Sequence, residues 1–300
     1  MQIKTNNLTQ VFGFGQDLEH VAINRVSLKI DQQEFVGIIG HTGSGKTTLI
    51  EHLNGLLVPT YGEVEIISNH FLKKQDINNK RKEASFIINN TKRKLKKVNK
   101  LRRLVGLVFQ FAEYQLFEST IEKEIIFGPL NMGIPEQKAL VKVREYIQLV
   151  GLDESFLKRS PFDLSGGQKR RVALASILAM DPEVLILDEP TAGLDPEGVK
   201  AMYEIFAKLH KQGKTIIIIT HNLDEMLEYA HRILIFNEGR IVEDGFAQDV
   251  LYQHQMLIDN QLQPPKLVEL VDKLEKRGIR VGKPRSIQEL VSILKRKKRK

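Results

Sequence analysis

Along this chain the apolar residues change rhythm. Residues 1–30 alternate apolar and polar in short runs, as in Val26-Ser27-Leu28-Lys29-Ile30. A period of two predicts antiparallel strands with one solvated face. Phe35-Val36-Gly37-Ile38-Ile39 is instead a near-continuous apolar run, the pattern of a strand buried on both faces. Leu104 to Phe109, Val184-Leu185-Ile186-Leu187, Thr215 to Ile219 and Ile233-Leu234-Ile235-Phe236 repeat it. Amphipathic stretches of helix length, among them 48–56, 169–179, 196–211 and 222–230, lie between several of these runs, and 111–165 also reads as helical. Strands alternating with helices predict an α/β fold with a mainly parallel core sheet, here preceded by an antiparallel β subdomain.

After Pro264-Pro265 the pattern changes again. Leu267, Leu270, Val271 and Leu274 recur at one helix face, and Ile287, Leu290, Val291 and Leu294 repeat the spacing. Ser286 with Glu289 three residues on fits a capping box opening the second helix. The expected organisation is a main domain over 1–254, with a helical subdomain over about 111–180, and a helical appendix over 255–300.

Charge singles out two segments. Residues 71–103 hold 13 Lys+Arg against 2 acids, a net +11, and residues 285–300 hold 7 against 1, a net +6. The rest of the chain is therefore acidic, at −9. A wholly basic nucleic-acid fold does not divide this way, so no nucleic-acid partner is expected. Each basic segment suits anionic lipid or nucleic acid, with a solvated loop and tail as the plainer alternative. The Lys/Asn/Arg richness of 71–103 predicts a mobile insertion, or a short basic helix from Leu95 to Leu104. The 300 residues include no Cys, which excludes a disulfide framework, a thiolate zinc site and a cysteine nucleophile. No window holds 18 uninterrupted apolar residues, and Met1-Gln2-Ile3-Lys4 opens no signal peptide.

Three segments carry chemistry. Gly40-His41-Thr42-Gly43-Ser44-Gly45-Lys46-Thr47 matches G-x-x-x-x-G-K-[ST] between a buried strand and a helical stretch beginning at Thr48. Its glycines let successive N–H groups face phosphate oxygens. Lys46 reaches the β/γ-phosphates, and the Thr47 hydroxyl suits Mg²⁺. Val184 to Leu187 ends in Asp188-Glu189, so a buried strand delivers two acids to the sheet edge. Two acids beside a triphosphate imply a cation: Asp188 holds it, and Glu189 activates water. Leu164-Ser165-Gly166-Gly167-Gln168 opens a helix and forms a second phosphate cradle without a lysine of its own. That oddity makes sense if the second cradle serves a neighbouring subunit's nucleotide.

Taken together, the set resembles the nucleotide-binding domain of an ABC transporter. Gly40 to Thr47 resembles Walker A, Gln110 the Q-loop glutamine, and Leu164 to Gln168 the signature. Asp188-Glu189 resembles Walker B with its catalytic glutamate, Ala192-Gly193-Leu194-Asp195 the D-loop, and His221 the switch histidine. The resemblance covers about 1–250 with every motif in family order. It implies ATP and Mg²⁺ as ligands, with Thr47, Gln110 and Asp188 toward the metal and Glu189, His221 and Gln110 in hydrolysis. It also implies a head-to-tail dimer in which ATP lies between one subunit's Lys46-type loop and the other's Ser165-type cradle. Phe12 and Phe14 both qualify by position to stack on adenine.

Phe109 to Glu118, then Ile126-Phe127-Gly128-Pro129 and Lys169-Arg170-Arg171, is similar to the ATPases of energy-coupling factor (ECF) vitamin and metal transporters. His41-Thr42 and Tyr114 look like the A′ member of their paired ATPases. Ala112, where Pro is expected, and the basic 71–103 stretch depart from that pattern. The resemblance implies a peripheral ATPase on the cytoplasmic side of the cell membrane, powering micronutrient uptake. Its implied partners are a second, different cassette, a transmembrane scaffold and a substrate-binding membrane subunit. The scaffold is expected to seat against 110–118, with Glu113 and Glu118 as free acids for its basic residues. An ATPase of another ABC importer or exporter, or a DNA-associated ABC-type ATPase, are the alternatives. No sustained heptads of the latter kind occur.

Overall fold

The computed structural model describes residues 1–71, 83–91 and 98–297. An antiparallel sheet holds β1 (Gln2–Phe12), β2 (His20–Ile30), β4 (Tyr61–Ser68) and β5 (Ala84–Asn89) in the order β2-β1-β4-β5. A second sheet holds β3 (Phe35–Ile39), β6 (Val105–Val108), β7 (Val184–Asp188), β8 (Thr215–Ile219), β9 (Arg232–Asn237) and β10 (Arg240–Phe246) in the order β10-β9-β3-β8-β7-β6. All its pairings are parallel except that of β10 with β9.

Every residue of β3, β7 and β8 is buried. Alternate residues feed two separate cores, because side chains of a strand point to opposite faces. Phe35, Ile39, Leu185, Leu187, Ile216 and Ile218 join one hydrophobic cluster. Val36, Ile38, Val184, Ile186, Ile217 and Ile219 join the other, which packs under the antiparallel sheet. β3, β7 and β8 therefore have no wet face, and their uninterrupted apolar runs reflect that.

The helices are α1 (Lys46–Leu53), α2 (Val98–Leu104), α3 (Ile121–Asn131), α4 (Glu136–Leu149), α5 (Gly166–Leu178), α6 (Pro196–Lys211), α7 (Leu223–Tyr229), α8 (Ala247–Leu251), α9 (His254–Asp259), α10 (Lys266–Glu275) and α11 (Ile287–Lys297). Helices α3, α4 and α5 pack on one another and make the helical region between β6 and β7. The ends of α6 follow capping chemistry: Asp195 accepts from the Gly198 N–H, Pro196 opens the first turn, and Lys208, His210 and Lys211 close the last.

The basic stretch differs from its expectation. Ala84–Asn89 is not a loose insertion but the edge strand β5, paired antiparallel with β4 from Ser68↔Ala84 to Glu63↔Asn89. Ile88 is fully buried, and the Phe86 ring lies 5.3 Å from that of Phe71. Leu101 and Leu104 of α2 are buried as well, while Arg103 faces out. The surrounding charge outweighs these few apolar positions in any composition window. Residues 72–82 and 92–97, including the Leu95 start of the expected helix, lie outside the described residues.

The C-terminal segment is not a frayed tail over the residues described. Leu267, Val268, Val271 and Leu290 are buried in the same cluster as Leu223, Met226 and Leu227 of α7. Leu270 is 40% exposed and Ile287 52%, so the packed faces are narrower than the apolar spacing indicates. Polar ties hold both ends of α7. The Lys266 N–H donates to Asp224 Oδ1 at 2.7 Å, Arg285 Nε donates to Leu227 O at 3.1 Å, and Arg285 Nη2 donates to Ala230 O.

One buried histidine ties α1 to the antiparallel sheet. His52 on α1 is fully buried, with Nδ1 2.7 Å from Thr48 O and Nε2 3.1 Å from the Gln10 amide oxygen of β1. Burial holds it below the ordinary histidine range, against the opposing Thr48 hydrogen bond. The unfolded chain therefore binds the proton more readily, and the stability His52 lends is complete above about pH 6.5 and is lost as pH falls below it. His231, also lowered by burial, acts in the same direction. The thermal midpoint is expected to fall between pH 7 and pH 5, and His52→Gln is expected to flatten that fall. An unchanged slope in His52→Gln would assign it elsewhere.

Candidate nucleotide-binding and hydrolysis site

Because β3, β8, β7 and β6 run parallel, their C-terminal ends share one edge of the sheet, where ligands of open α/β sheets bind. The loop 40–45 leaves β3, His221 follows β8, Asp188 ends β7 with Glu189 just after it, and Gln110 follows β6.

The loop has no room for side chains at two of its glycines. A Cβ at Gly40 would sit 2.2 Å from Phe236 O, and one at Gly45 2.3 Å from Ala22 O. Gly45 also has φ +104°, a conformation open to glycine. Lys46 folds back over the loop, donating to Gly40 O at 2.9 Å, His41 O at 2.8 Å and Ser44 Oγ at 3.2 Å. Burial lowers its ammonium pKa, with Glu189 and Asp188 opposing. A half-buried cation held by carbonyls is poised for stronger acceptors, and phosphate oxygens are such acceptors. His41 is fixed from outside the loop: Nε2 lies 3.0 Å from Asn237 Oδ1, and Asn237 Nδ2 donates to Asn260 Oδ1 beyond α9 at 3.0 Å.

Thr47 Oγ1 donates to Asp188 Oδ2 at 3.1 Å. Burial, with Glu189 nearby, raises the Asp188 carboxyl despite the Thr47 bond and Lys46. A carboxylate destabilised in this way gains from a positive charge, and two converging oxygens suit a hard cation. No group of three or more His, Cys, Asp or Glu fit for a metal occurs among the described residues, so such a cation would take its other ligands from phosphate and water.

Glu189 adopts φ 45°, a left-handed conformation unusual for a residue with a side chain. Its N–H donates to Ile219 O at 2.9 Å, and Thr220 Oγ1 donates to Oε2 at 3.4 Å. His221 Nδ1 lies 2.9 Å from Oε1. The His221 side chain is 77% exposed and that of Glu189 16%, so the pair faces the open sheet edge.

Ser165 caps α5 in a full capping box: its Oγ accepts from the Gln168 N–H at 3.3 Å, and Gln168 Oε1 accepts from the Ser165 N–H at 3.1 Å. Ser165, Gly167 and Gln168 line a cleft of about 490 Å³ with Leu194 and Asp195. No Walker A residue lines it. Gln110 is exposed, as are Phe12 and Phe14; Phe14 meets Tyr61 edge-on at 5.8 Å.

One expected docking acid is not free. Glu113 accepts from Arg170 Nε at 3.1 Å and Nη2 at 2.5 Å, with side-chain exposures of 10% and 7%. Burial works to raise its carboxyl, yet the Arg170 bonds outweigh it and hold the group below the ordinary carboxylate range. The sequence reading missed this because the partners lie 57 residues apart, beyond any local pattern. It also missed Glu124, buried in α3, whose Oε2 accepts from the Phe117 and Glu118 N–H groups at 2.9 and 2.8 Å and pins that segment.

A phosphate loop, a paired Asp–Glu strand end and a separate serine-glycine cradle on one α/β sheet define a P-loop ATPase cassette. The pattern of the family described as ABC transporter matches residues 23–192. The energy-coupling factor transporter ATP-binding protein EcfA2 of Mycoplasma mobile is 52% identical, aligning over 96% of this chain and 94% of its own. That of Streptococcus pneumoniae serotype 2 is 43% identical over 93% and 94%. The solved structure of cbiO1 from Clostridium perfringens, described as part of the ABC transporter complex cbiONQ, is 31% identical with a TM-score of 0.69, covering 90% of this chain and 98% of its own. The chain belongs to the ABC transporter ATPases and, among them, to the energy-coupling factor transporter ATP-binding proteins.

Proposed function

We propose that this chain hydrolyses ATP to power uptake of a vitamin or metal-ion micronutrient, as the A′-type ATPase of an energy-coupling factor transporter. The observation that carries the reading is the convergence of Lys46, Thr47, Asp188, Glu189 and His221 on one sheet edge. The separate Ser165 cleft supports it.

In this reading the N–H groups of 40–47 and Lys46 hold the β- and γ-phosphates, with Thr48 beside them on α1. Thr47 and Asp188, with Gln110 following β6, would hold Mg²⁺, which would supply positive charge against the phosphates. Glu189 takes the proton of the attacking water, and His221, on its other oxygen, steers that carboxylate toward it. Ser165, Gly166, Gly167 and Gln168, with Asp195 nearby, cover the ATP of a second cassette. That cassette is proposed to be a related but different chain. The functional division is a 1–254 ATPase domain with a 255–300 appendix.

Among the described residues no helix is long and apolar enough to cross a membrane. Placement on the cytoplasmic side of the cell membrane therefore depends on partners, a transmembrane scaffold and a substrate-binding subunit. Phe111, Tyr114, Phe117 and Phe127 are 43%, 83%, 57% and 44% exposed, an aromatic surface suited to scaffold helices. Glu118 is half-buried there and no ion pair holds it among the described residues. Lys295, Arg296 and Lys297 close α11 and suit anionic lipid.

Two measurements test the reading. The isolated chain is expected to hydrolyse ATP weakly, and turnover to rise at least about tenfold when a second cassette and the scaffold are added, a coupling of ordinary size. Unchanged turnover in the assembly would refute it. Glu118→Lys is expected to lower scaffold binding while leaving nucleotide binding intact; full retention of scaffold binding would place the docking surface elsewhere.

A further inference from the structure

Arg170 lies on α5, five residues beyond Ser165, and is 5% exposed. Its guanidinium reaches three separate places. Nε and Nη2 bind Glu113 in the short helical turn Ala112–Gln115, Nη1 donates to Ala192 O, and the group sits 5.9 Å from the Phe111 ring centre. Ala192 belongs to the loop that joins Glu189 to Asp195. Phe111 has φ 56°, so the backbone enters the aromatic segment in a conformation that needs outside support.

This arrangement differs from a surface ion pair in kind. Both side chains are nearly closed off from water, and the planar fork fixes direction as well as distance. Removing either partner leaves a buried charge uncompensated, so the contact resists gradual loosening. A movement of 111–118 therefore pulls on α5 and on the 189–195 loop together. The first carries the Ser165 cradle; the second starts at Glu189 and ends at Asp195.

We propose that Arg170 is a positioning residue that transmits displacement of the 111–118 segment to the Ser165 cradle and to the loop following Glu189. It rests on the functional reading above, and it adds the element by which scaffold docking reaches the two hydrolysis elements. Arg170 acts through Glu113, α5 and Ala192.

The test uses the complete assembly of chain, second cassette and scaffold. The readout is scaffold stimulation, the turnover with scaffold divided by that of the two cassettes alone. Arg170→Gln is expected to lower this ratio about tenfold or more, within the usual span of coupling between sites. Scaffold binding, nucleotide affinity and the turnover of the cassettes alone are expected to stay within about twofold, the coupling alone being lost. Arg170→Lys keeps the charge but not the fork and is expected to lose most of the ratio too. A residue that only stabilised the fold would lower thermal midpoint and unstimulated turnover together. If Arg170→Gln fails to fold, Arg170→Lys carries the test, since it keeps a positive charge beside Glu113 and loses only the fork. Normal stimulation in these variants with scaffold bound overturns the proposal alone. Absence of stimulation in the unmodified assembly overturns the functional reading with it.

Discussion

Glu189→Gln is expected to leave ATP binding intact and to slow hydrolysis by about 10²- to 10⁴-fold, the usual worth of a positioned general base. The glutamine keeps the shape and the hydrogen bond from Thr220 Oγ1, so the left-handed backbone at 189 has no new reason to move. It loses the charge that accepts a proton. Nucleotide affinity measured by equilibrium titration, beside single-turnover hydrolysis, separates these effects. Wild-type turnover would remove Glu189 from the base role; lost affinity would show that the substitution disturbed the loop instead.

Lys46→Ala is expected to act on the opposite quantity. The ammonium bound to Gly40 O and His41 O at 2.9 and 2.8 Å is proposed to exchange those carbonyls for phosphate oxygens when nucleotide enters. Charge-assisted hydrogen bonds are worth about 1.5–3 kcal/mol each, so losing two weakens ATP binding by at least about 10²-fold. The glycines that shape the loop are untouched. Retention of affinity within a few fold, with protein still folded by circular dichroism, would refute the assignment. Because Lys46 is proposed to meet phosphate and Glu189 water, the two variants are expected to fail in different assays.

The parallel sheet was legible because burial on both faces leaves unbroken apolar runs, as in 184–187 and 215–219. The Walker A, Asp188-Glu189 and Ser165 segments were legible because each is contiguous, with its structural context encoded on either side. β5 was not. Its alternating Ala84, Phe86 and Ile88 are few among many Lys and Asn, and what makes them a strand is the partner β4 at Glu63 to Ser68. The same holds for Glu113. As a sequence position it is an acid among exposed aromatics, and only the fold brings α5 across to neutralise it. The Asn260–Asn237–His41 chain is a third case: three polar side chains, remote in sequence, that make sense only when assembled.

The ties on α7 have a consequence for how the molecule is made. A helix C-terminus leaves carbonyls without partners. At α7 two of these are served by Arg285, which follows Leu227 by 58 residues and Ala230 by 55. During synthesis the helix after His221 must wait for that distant guanidinium, and until then Leu227 O and Ala230 O have only water. A nascent or truncated chain thus carries the 40–47 loop, Asp188, Glu189 and His221 before the helix behind His221 is secured. Completion of the C-terminal segment is therefore expected to secure the end of the helix behind His221, which can be checked by comparing its protection in full-length and truncated chains.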